Sequence, residues 1–369
     1  MPFMTLLVEA DGLVTALGFD IGGANTKAVR LKTENRKVTD VEVVAKYFPI
    51  WQEPNRLTSV VFELKENLGV TPDVVGVTMT AELSDAYQTK REGVAHILAC
   101  VKTVFPHMPT SVLNTSAQMV TIEAAKQDPV GVASANWVAT GWLIAQHLQN
   151  AVVVDVGSTS TSIIPIVGSR LVAKGKTDLD KLLCGELVYT GSLRTNVAAI
   201  VQSIPLRGGV SMVSSELFAQ SGDVHLILGH IDGADYTSET ADYRGKTRAE
   251  AYARLSRVVC ADTEMLTQQE LFNMAQYIYA QQLKQMVNGL NKVYRYAKTF
   301  APQVPIVITG LGKNFLARKA AMHIDADTII DIDQLLNPSF SKQAVIATPA
   351  IGVALMAANN HTEGLNTWV

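Results

Sequence analysis

Cysteine is scarce: the 369-residue chain has three, Cys100, Cys184 and Cys260. Odd in number and far apart, they offer no disulfide framework and no CxxC metal site. Such usage fits a reducing, cytoplasmic compartment. A basic excess is also missing. Lys plus Arg number 31 against 34 Asp plus Glu, a formal charge of −3. That balance argues against a nucleic-acid binder that relies on a basic field. No apolar run reaches the ~18 residues that a membrane crossing needs. The longest, Ala344 to Ala358, contains Pro349. Met1 to Gly12 has no basic residue before its short apolar stretch, so no signal peptide is expected. The seven histidines show no HExxH-like metal spacing; His225 and His230 read as loop or core residues. What is present is ordinary globular material, 48% apolar and 18% charged. At ~150 residues per domain, the length suggests two domains or one duplicated one.

One short pattern occurs twice. The first copy is Gly18-Phe19-Asp20-Ile21-Gly22-Gly23-Ala24-Asn25-Thr26-Lys27, the second Val153-Val154-Asp155-Val156-Gly157-Ser158-Thr159-Ser160-Thr161-Ser162. Aligned on the aspartates, each reads Asp, apolar, Gly, small, with Thr six positions on. The offset from Asp20 to Asp155 is 135 residues, right for a duplicated domain. Strand-like runs flank each copy: Leu17–Ile21 and Ala28–Leu31, then Ala151–Val156 and Ile163–Val167. A Gly-containing turn between such runs predicts a β-hairpin. A Walker loop instead runs from strand into helix and ends in Gly-Lys-Ser/Thr, which neither copy does.

Around the two turns the chain alternates helices and strands. Helices are expected over Thr58–Asn67, Glu92–Val104, Ala117–Ala125 and Ala133–Gln146, and a buried strand over Val74–Thr78. Residues 205–255 are polar and weakly periodic, which predicts an inserted lobe or long loops. Thr267 and Glu270 form a capping-box pattern at the start of a long helix ending near Phe300. Gly289 within it marks a kink or a close approach. Pro305 opens a strand, Ile306–Thr309; Gly310-Leu311-Gly312 turns into a helix over Asn314–Met322. A last helix lies near Ala350–Ala358. The expected division is a first lobe over 1–150, a second over 151–358 and a mobile tail over 359–369.

The turns carry the chemistry. Gly22-Gly23 and Gly157 let backbone amides approach an anion, because glycine has no Cβ in the way. Asn25, Thr26, Ser158, Thr159, Ser160 and Thr161 add donors, and successive N–H groups form anion-binding concavities. Asp20 and Asp155 end their strands; facing each other across a cleft, they would suit Mg²⁺. Taken singly, each turn also reads as a tight hairpin capped by its aspartate; the matched pair favours the ligand reading. Gly310-Leu311-Gly312 can approach a nucleoside or another part of a ligand, or be a plain strand-to-helix turn. The arrangement resembles the superfamily of acetate and sugar kinases, Hsp70 and actin, from Thr15 to about Ala358. That implies an α/β chain of two related actin-like (ribonuclease H-like) lobes around a ligand cleft, with two phosphate loops and an adenosine loop. It does not imply ATP hydrolysis, since fold does not fix chemistry.

A narrower resemblance rests on Thr78-Met79-Thr80-Ala81-Glu82-Leu83-Ser84-Asp85-Ala86-Tyr87-Gln88-Thr89-Lys90-Arg91-Glu92-Gly93, behind the buried strand. Tyr189-Thr190-Gly191-Ser192-Leu193-Arg194-Thr195 and Ala241-Asp242-Tyr243-Arg244-Gly245-Lys246 belong with it. These are similar to a branch of the hydantoinase and oxoprolinase relatives, the tetrahydromethanopterin-linked C1-transfer pathway proteins. Members of that branch make methanofuran or the related methylofuran. The branch often has Pro after Arg-Thr, where this chain has Asn196.

The resemblance implies a transferase that joins an aminomethylfuran-methyl diphosphate to the phenol of a (glutamyl)tyramine or tyrosine group. An aryl ether forms and diphosphate leaves. It implies Mg²⁺ at Asp20 and Asp155, and diphosphate held by Gly22, Gly23, Asn25, Thr26, Lys27, Gly157, Ser158, Thr159, Ser160, Thr161, Gly310 and Gly312. It implies substrate contacts at Thr80, Lys90, Asn136, Thr190 and Gly191. Glu82 and Asp85 are the candidate bases, and Arg194, with Lys27, Lys90 and Arg91, the candidate neutralisers of charge. A plainer reading stands beside each. Glu82 and Asp85 could cap the following helix. Lys90 and Arg91 could be a solvated helix start, Arg194 structural and Lys27 outward-pointing. Trp137 and Trp142 read as packing. Asp232, Asp235 and Asp242 read as a solvated loop or a second metal site. Two other functions compete: an ATP-dependent small-molecule kinase or amide-ring hydrolase, and an actin-like nucleotide switch. Small-molecule substrates are expected, with neither nucleic acid nor membrane as a partner.

Overall fold

A computed structural model describes residues 12–35, 37–324, 326–336, 345 and 347–362. The chain forms two compact units, residues 1–143 with 337–369, and residues 144–336.

The first unit is built on a six-stranded sheet. Its strands are β1 (Val14–Ile21), β2 (Asn25–Glu34), β3 (Lys37–Tyr47), β4 (Val74–Met79), β5 (Thr110–Leu113) and β6 (Met119–Thr121), in the order β3-β2-β1-β4-β5-β6. β1 and β2 form the first predicted hairpin, and β4 runs parallel to β1. Every residue of β4 is buried, as a central strand covered on both faces must be. Leu17, Phe19 and Ile21 enter a core with the helices Leu57–Leu68 and Lys90–Val104. Leu57, Val60, Val61, Leu64 and Leu68 make the apolar stripe of the first helix, and Gly69, at φ 61°, ends it in the left-handed region.

Gly18, one step out of phase with that core, faces the other side of the sheet. It pairs directly with Gly76 on β4. The helix Thr348–Thr362 lies against this glycine pair. A Cβ on Gly18 would strike the Ala350 carbonyl, and one on Gly76 would come within 2.5 Å of the Val353 carbonyl. The expected tail from 359 is thus helical as far as Thr362; residues 363–369 lie outside the described residues.

The helix expected over Ala117–Ala125 is instead β6 followed by a short helix, Ile122–Gln127. Asn114 causes the difference: its Oδ1 accepts from the amides of Ser116 and Gln118, both at 2.9 Å. That side-chain turn reverses the chain before Thr121 caps the helix through the amide of Ala124, at 3.0 Å.

The second unit repeats the plan. β7 (Ala151–Val156) and β8 (Thr161–Val167) form the second predicted hairpin. β9 (Arg170–Leu171) pairs with β8, as does β10 (Leu187–Val188). Residues 205–255 are part loop, with 229–247 holding neither helix nor strand, and part ordered. They hold part of a hairpin, β11 (Ser203–Leu206) with β12 (Gly209–Met212), and the helices Ser221–Leu228 and Arg248–Arg257. Periodicity missed the second helix because its buried face includes an arginine, Arg254. β13 (Ile306–Thr309) is parallel to β7, and β14 (Ile329–Asp331) to β13, giving the order β10-β8-β7-β13-β14.

The long helix runs from Gln268 to Lys298, with the Thr267–Glu270 capping box in place. Leu271, Met274, Ala275 and Ile278 enter one core; Met286, Leu290, Val293 and Ala297 enter another, under the sheet. Gly289 marks a close approach: a Cβ there would sit 2.6 Å from Val188 Cγ2. No helix among the described residues is long and apolar enough to cross a membrane.

Candidate active site

The two hairpin turns share their register and their closing bond. Asp20 lies opposite Lys27 and Ile21 opposite Thr26; Asp155 lies opposite Ser162 and Val156 opposite Thr161. The amide of Gly22 donates to the carbonyl of Asn25 at 3.0 Å, and that of Gly157 to Ser160, also at 3.0 Å. Gly23-Ala24 and Ser158-Thr159 therefore form the tips. Two carbonyls of each turn are tied back. Those of Gly23 and Ala24 accept from Ile50 (3.0 Å) and Phe48 (2.8 Å). Those of Gly157 and Ser158 accept from Ser192 (2.9 Å), and from Leu193 (2.9 Å) and Arg194 (3.0 Å). With those carbonyls engaged, each turn offers a donor-rich edge, which suits an anion.

Tyr189–Thr195 thus forms a strap over the second turn. Gly191 permits the contact, since a Cβ there would lie 2.6 Å from the Ser158 carbonyl. Thr161 Oγ1 donates to the carbonyl of Thr190 at 2.8 Å, and Arg194 Nη1 to Thr159 Oγ1 at 3.2 Å. Arg194 is thereby brought to the turn. Asp20 is buried and Asp155 half-buried. Gly310 packs on Asp155 and Gly312 on Val156; the amide of Gly312 donates to the carbonyl of Val156 at 3.1 Å. In the first unit the amide of Thr80 makes the corresponding bond to Ile21, at 2.9 Å, and Thr80 Oγ1 stands over Gly22. Asn25 and Lys27 are half-buried, whereas Thr26 points into the core.

Sequence reasoning missed Lys181. It lies on the helix Asp178–Cys184, whose Leu179, Leu182 and Leu183 are exposed while the lysine is buried. Its Nζ reaches Ser162 Oγ at 3.5 Å. Burial pulls its pKa down to about 8 against the opposing pull of Asp178, Glu186 and Asp155.

The first unit carries a second cluster. Glu82 sits in the short turn Ala81–Leu83 with its side chain buried. Its Oε1 accepts from Ser134 Oγ at 2.7 Å and from Lys90 Nζ at 3.4 Å, and Lys90 Nζ also lies 3.3 Å from Ser134 Oγ. A buried carboxylate needs such partners. Gly93 lets the helix press on this turn: a Cβ would lie 2.6 Å from Glu82 Cα. The helix cap is Thr89, whose Oγ1 accepts from the amide of Glu92 at 3.2 Å. Neither Glu82 nor Asp85 caps it. Lys90 folds back onto the cluster, while Asp85 and Arg91 are exposed. Ser134, a partner the sequence did not disclose, has φ 52°. Asn136, half-buried, opens the helix Asn136–Ala145 two residues on, and Trp137 is buried.

The acidic residues of the polar segment have structural partners. Asp232 Oδ1 accepts from the amides of Ala234 (2.8 Å) and Asp235 (3.0 Å). Asp242 pairs with Arg254 and Arg257, each at 3.1 Å. No group of three or more His, Cys, Asp or Glu among the described residues could hold a metal ion.

The hydantoinase/oxoprolinase family profile matches residues 73–360. A (4-{4-[2-(γ-L-glutamylamino)ethyl]phenoxymethyl}furan-2-yl)methanamine synthase of Methanocaldococcus jannaschii is 37% identical over 342 residues, 92% of this chain and 97% of the relative. A protein of the same name from Methanococcus vannielii is 33% identical over 224 residues, 60% of this chain and 98% of its own length. Among solved structures, a nucleotide-free acetone carboxylase superposes with a TM-score of 0.52 at 10% identity, covering 93% of this chain and 70% of its own. That likeness concerns the fold alone. The extent of the profile match and the identity to the archaeal synthases establish that the chain belongs to the hydantoinase/oxoprolinase family.

Proposed function

We propose that this chain is an ether-forming transferase of furan-coenzyme biosynthesis. It would join an aminomethylfuran-methyl diphosphate to the phenol of γ-glutamyltyramine or of a tyrosine group. The observation that carries the reading is the matched pair of donor-edged turns, the second overlaid by Arg194. The archaeal relatives' name supports it, since a phenoxymethyl-furan contains the ether this reaction makes. The bond from the furan CH₂ to the diphosphate oxygen breaks, and its electron pair leaves with diphosphate. The phenol oxygen bonds to the carbon, and the phenol proton passes to a base.

A phenol with pKa ~10 is protonated at neutral pH, so a base near it speeds attack. Glu82 is that base in this reading, held in place by Ser134 and Lys90. The turn amides and Arg194 take the charge that grows on diphosphate. Mg²⁺ would be held at the Asp20 carboxylate of the first unit or at the Asp155 carboxylate of the second. One carboxylate beside each donor-edged turn suits an ion that keeps waters and phosphate oxygens in its shell. Bound there, it would share the leaving group's charge. The setting is cytoplasmic, in keeping with three free cysteines.

The test supplies Mg²⁺, the furan diphosphate and γ-glutamyltyramine, with tyrosine as the parallel acceptor and no ATP. Diphosphate release and the coupled mass are followed by mass spectrometry. Acceptor-dependent ether supports the reading. No product with either acceptor, alongside ATP hydrolysis, would replace it with the kinase or hydrolase reading. For the metal, Asp20→Asn or Asp155→Asn is expected to weaken Mg²⁺-pyrophosphate binding by about tenfold, the scale of one lost charged contact. Unchanged calorimetric affinity in both variants removes the metal assignment.

A further inference from the structure

Gln282 is fully buried on the long helix, between the residues that enter its two cores. Its Nε2 donates to Thr190 Oγ1 at 2.9 Å and to the carbonyl of Gly191 at 2.8 Å. A carbonyl can only accept, so the amide orientation is fixed and Oε1 points the other way. On that side lies His225, also fully buried, whose ring interacts with Gln282. His225 Nε2 and Gln282 Oε1 stop short of a hydrogen bond, and neither has another partner among the described residues. A buried donor and a buried acceptor so placed belong together, which makes Nε2 the protonated nitrogen of His225. Its Nδ1 then accepts, and His230 Nδ1, at 3.1 Å, must donate. Burial, with His230 beside it, lowers the His225 pKa to about 3 and keeps the ring neutral.

The chain of bonds continues beyond Gln282. Thr190 Oγ1 donates to Thr195 Oγ1 at 3.3 Å, which also accepts from the amide of Gly191 at 2.9 Å. The amide of Thr195 donates to Ser221 Oγ at 3.2 Å, and that of Gly222 to the carbonyl of Leu193 at 3.0 Å. The strap is therefore held from behind by two helices, and in front it rests on the Gly157–Thr161 turn.

We propose that Gln282, oriented by His225, is a positioning residue: it holds the Thr190–Arg194 strap against the second turn and so sets that turn's affinity for an anion. The functional half rests on the reading of the turn as a diphosphate site. Two variants test it, Gln282→Met, which keeps the volume and removes both donors, and Thr195→Val, which removes the acceptor of the Gly191 amide. Thr195→Ser, which keeps the hydroxyl, serves as the rescue. Two readouts apply. Amide hydrogen exchange at Gly191, Leu193 and Arg194 needs no ligand, and calorimetry uses pyrophosphate with Mg²⁺.

Faster exchange at those amides and about tenfold weaker pyrophosphate binding are expected for Gln282→Met and Thr195→Val, the scale of one or two lost hydrogen bonds. Thr195→Ser is expected to restore both. Unchanged exchange in both variants overturns the positioning role, whatever the ligand. Faster exchange in a protein whose wild type binds no pyrophosphate overturns the anion reading and leaves the holding of the strap in place. Faster exchange with unchanged pyrophosphate affinity overturns the link between strap and turn.

Discussion

Replacing Glu82 by glutamine is expected to lower kcat at least about a hundredfold, the low end of what a positioned acid–base group supplies. The substitution keeps the shape and leaves Ser134 and Lys90 in place, but it removes the group that can take a proton. Ser134 Oγ already donates to Oε1 at 2.7 Å, so the neutral amide has a ready partner through its own oxygen and the fold survives. A purely structural carboxylate gives the opposite pattern: denaturation at lower urea, with kcat per folded molecule unchanged. Ser134→Ala is expected to cost less, about tenfold, because the carboxylate remains while one of its hydrogen bonds goes. Ether formation under saturating substrates, normalised to the folded fraction, separates these cases.

The largest stability effect is expected at Arg254. Its side chain is fully buried; Nε donates to Asp223 Oδ1 at 2.8 Å, and Nη1 to Asp242 Oδ1 and to the carbonyl of Gly245, both at 3.1 Å. Arg254→Met strands the Asp223 carboxylate in an apolar interior. Breaking a buried pair from one side costs about 3–5 kcal/mol, a large part of the 5–15 kcal/mol typical of a folded protein. Burial pushes the Asp223 pKa up, to about 6, against the pull of Arg254. A raised carboxyl contributes stability that is full below its unfolded pKa and fades as pH rises through its folded pKa. Removing the guanidinium takes away an opposing pull and moves that titration further up. The variant is therefore expected to lose more near pH 8 than near pH 5. Urea unfolding at the two pH values measures this, and an equal loss at both would show that Asp223 does not titrate between them.

What could be read from the sequence follows from how local its cause was. The hairpins at Asp20 and Asp155 were legible because alternation and glycine act within ten residues. The Thr267–Glu270 cap was legible because a capping box spans three. The helix Arg248–Arg257 was not, because the partners that let Arg254 be buried, Asp223 and Asp242, lie 31 and 12 residues away. Lys181 hid for a related reason: its helix turns its leucines outward, against the rule by which periodicity is read. At the candidate site, Glu82 stood out in its segment. Ser134, 52 residues on, carried no local signal, and neither did Gln282, about 90 residues from the strap it touches.

The pairing of Gly18 and Gly76 with the helix Thr348–Thr362 has a consequence for synthesis. A ribosome delivers β1 and β4 early, yet the helix that covers their glycine face arrives only after the whole second unit has been made. Until then the glycine face of β1 and β4 lacks that cover, and an uncovered apolar sheet is the kind of surface that nascent chains lose to aggregation or lend to chaperones. The second unit is continuous in sequence and meets no such delay. The order of completion in the cell therefore runs against the order of translation: the unit begun first is finished last.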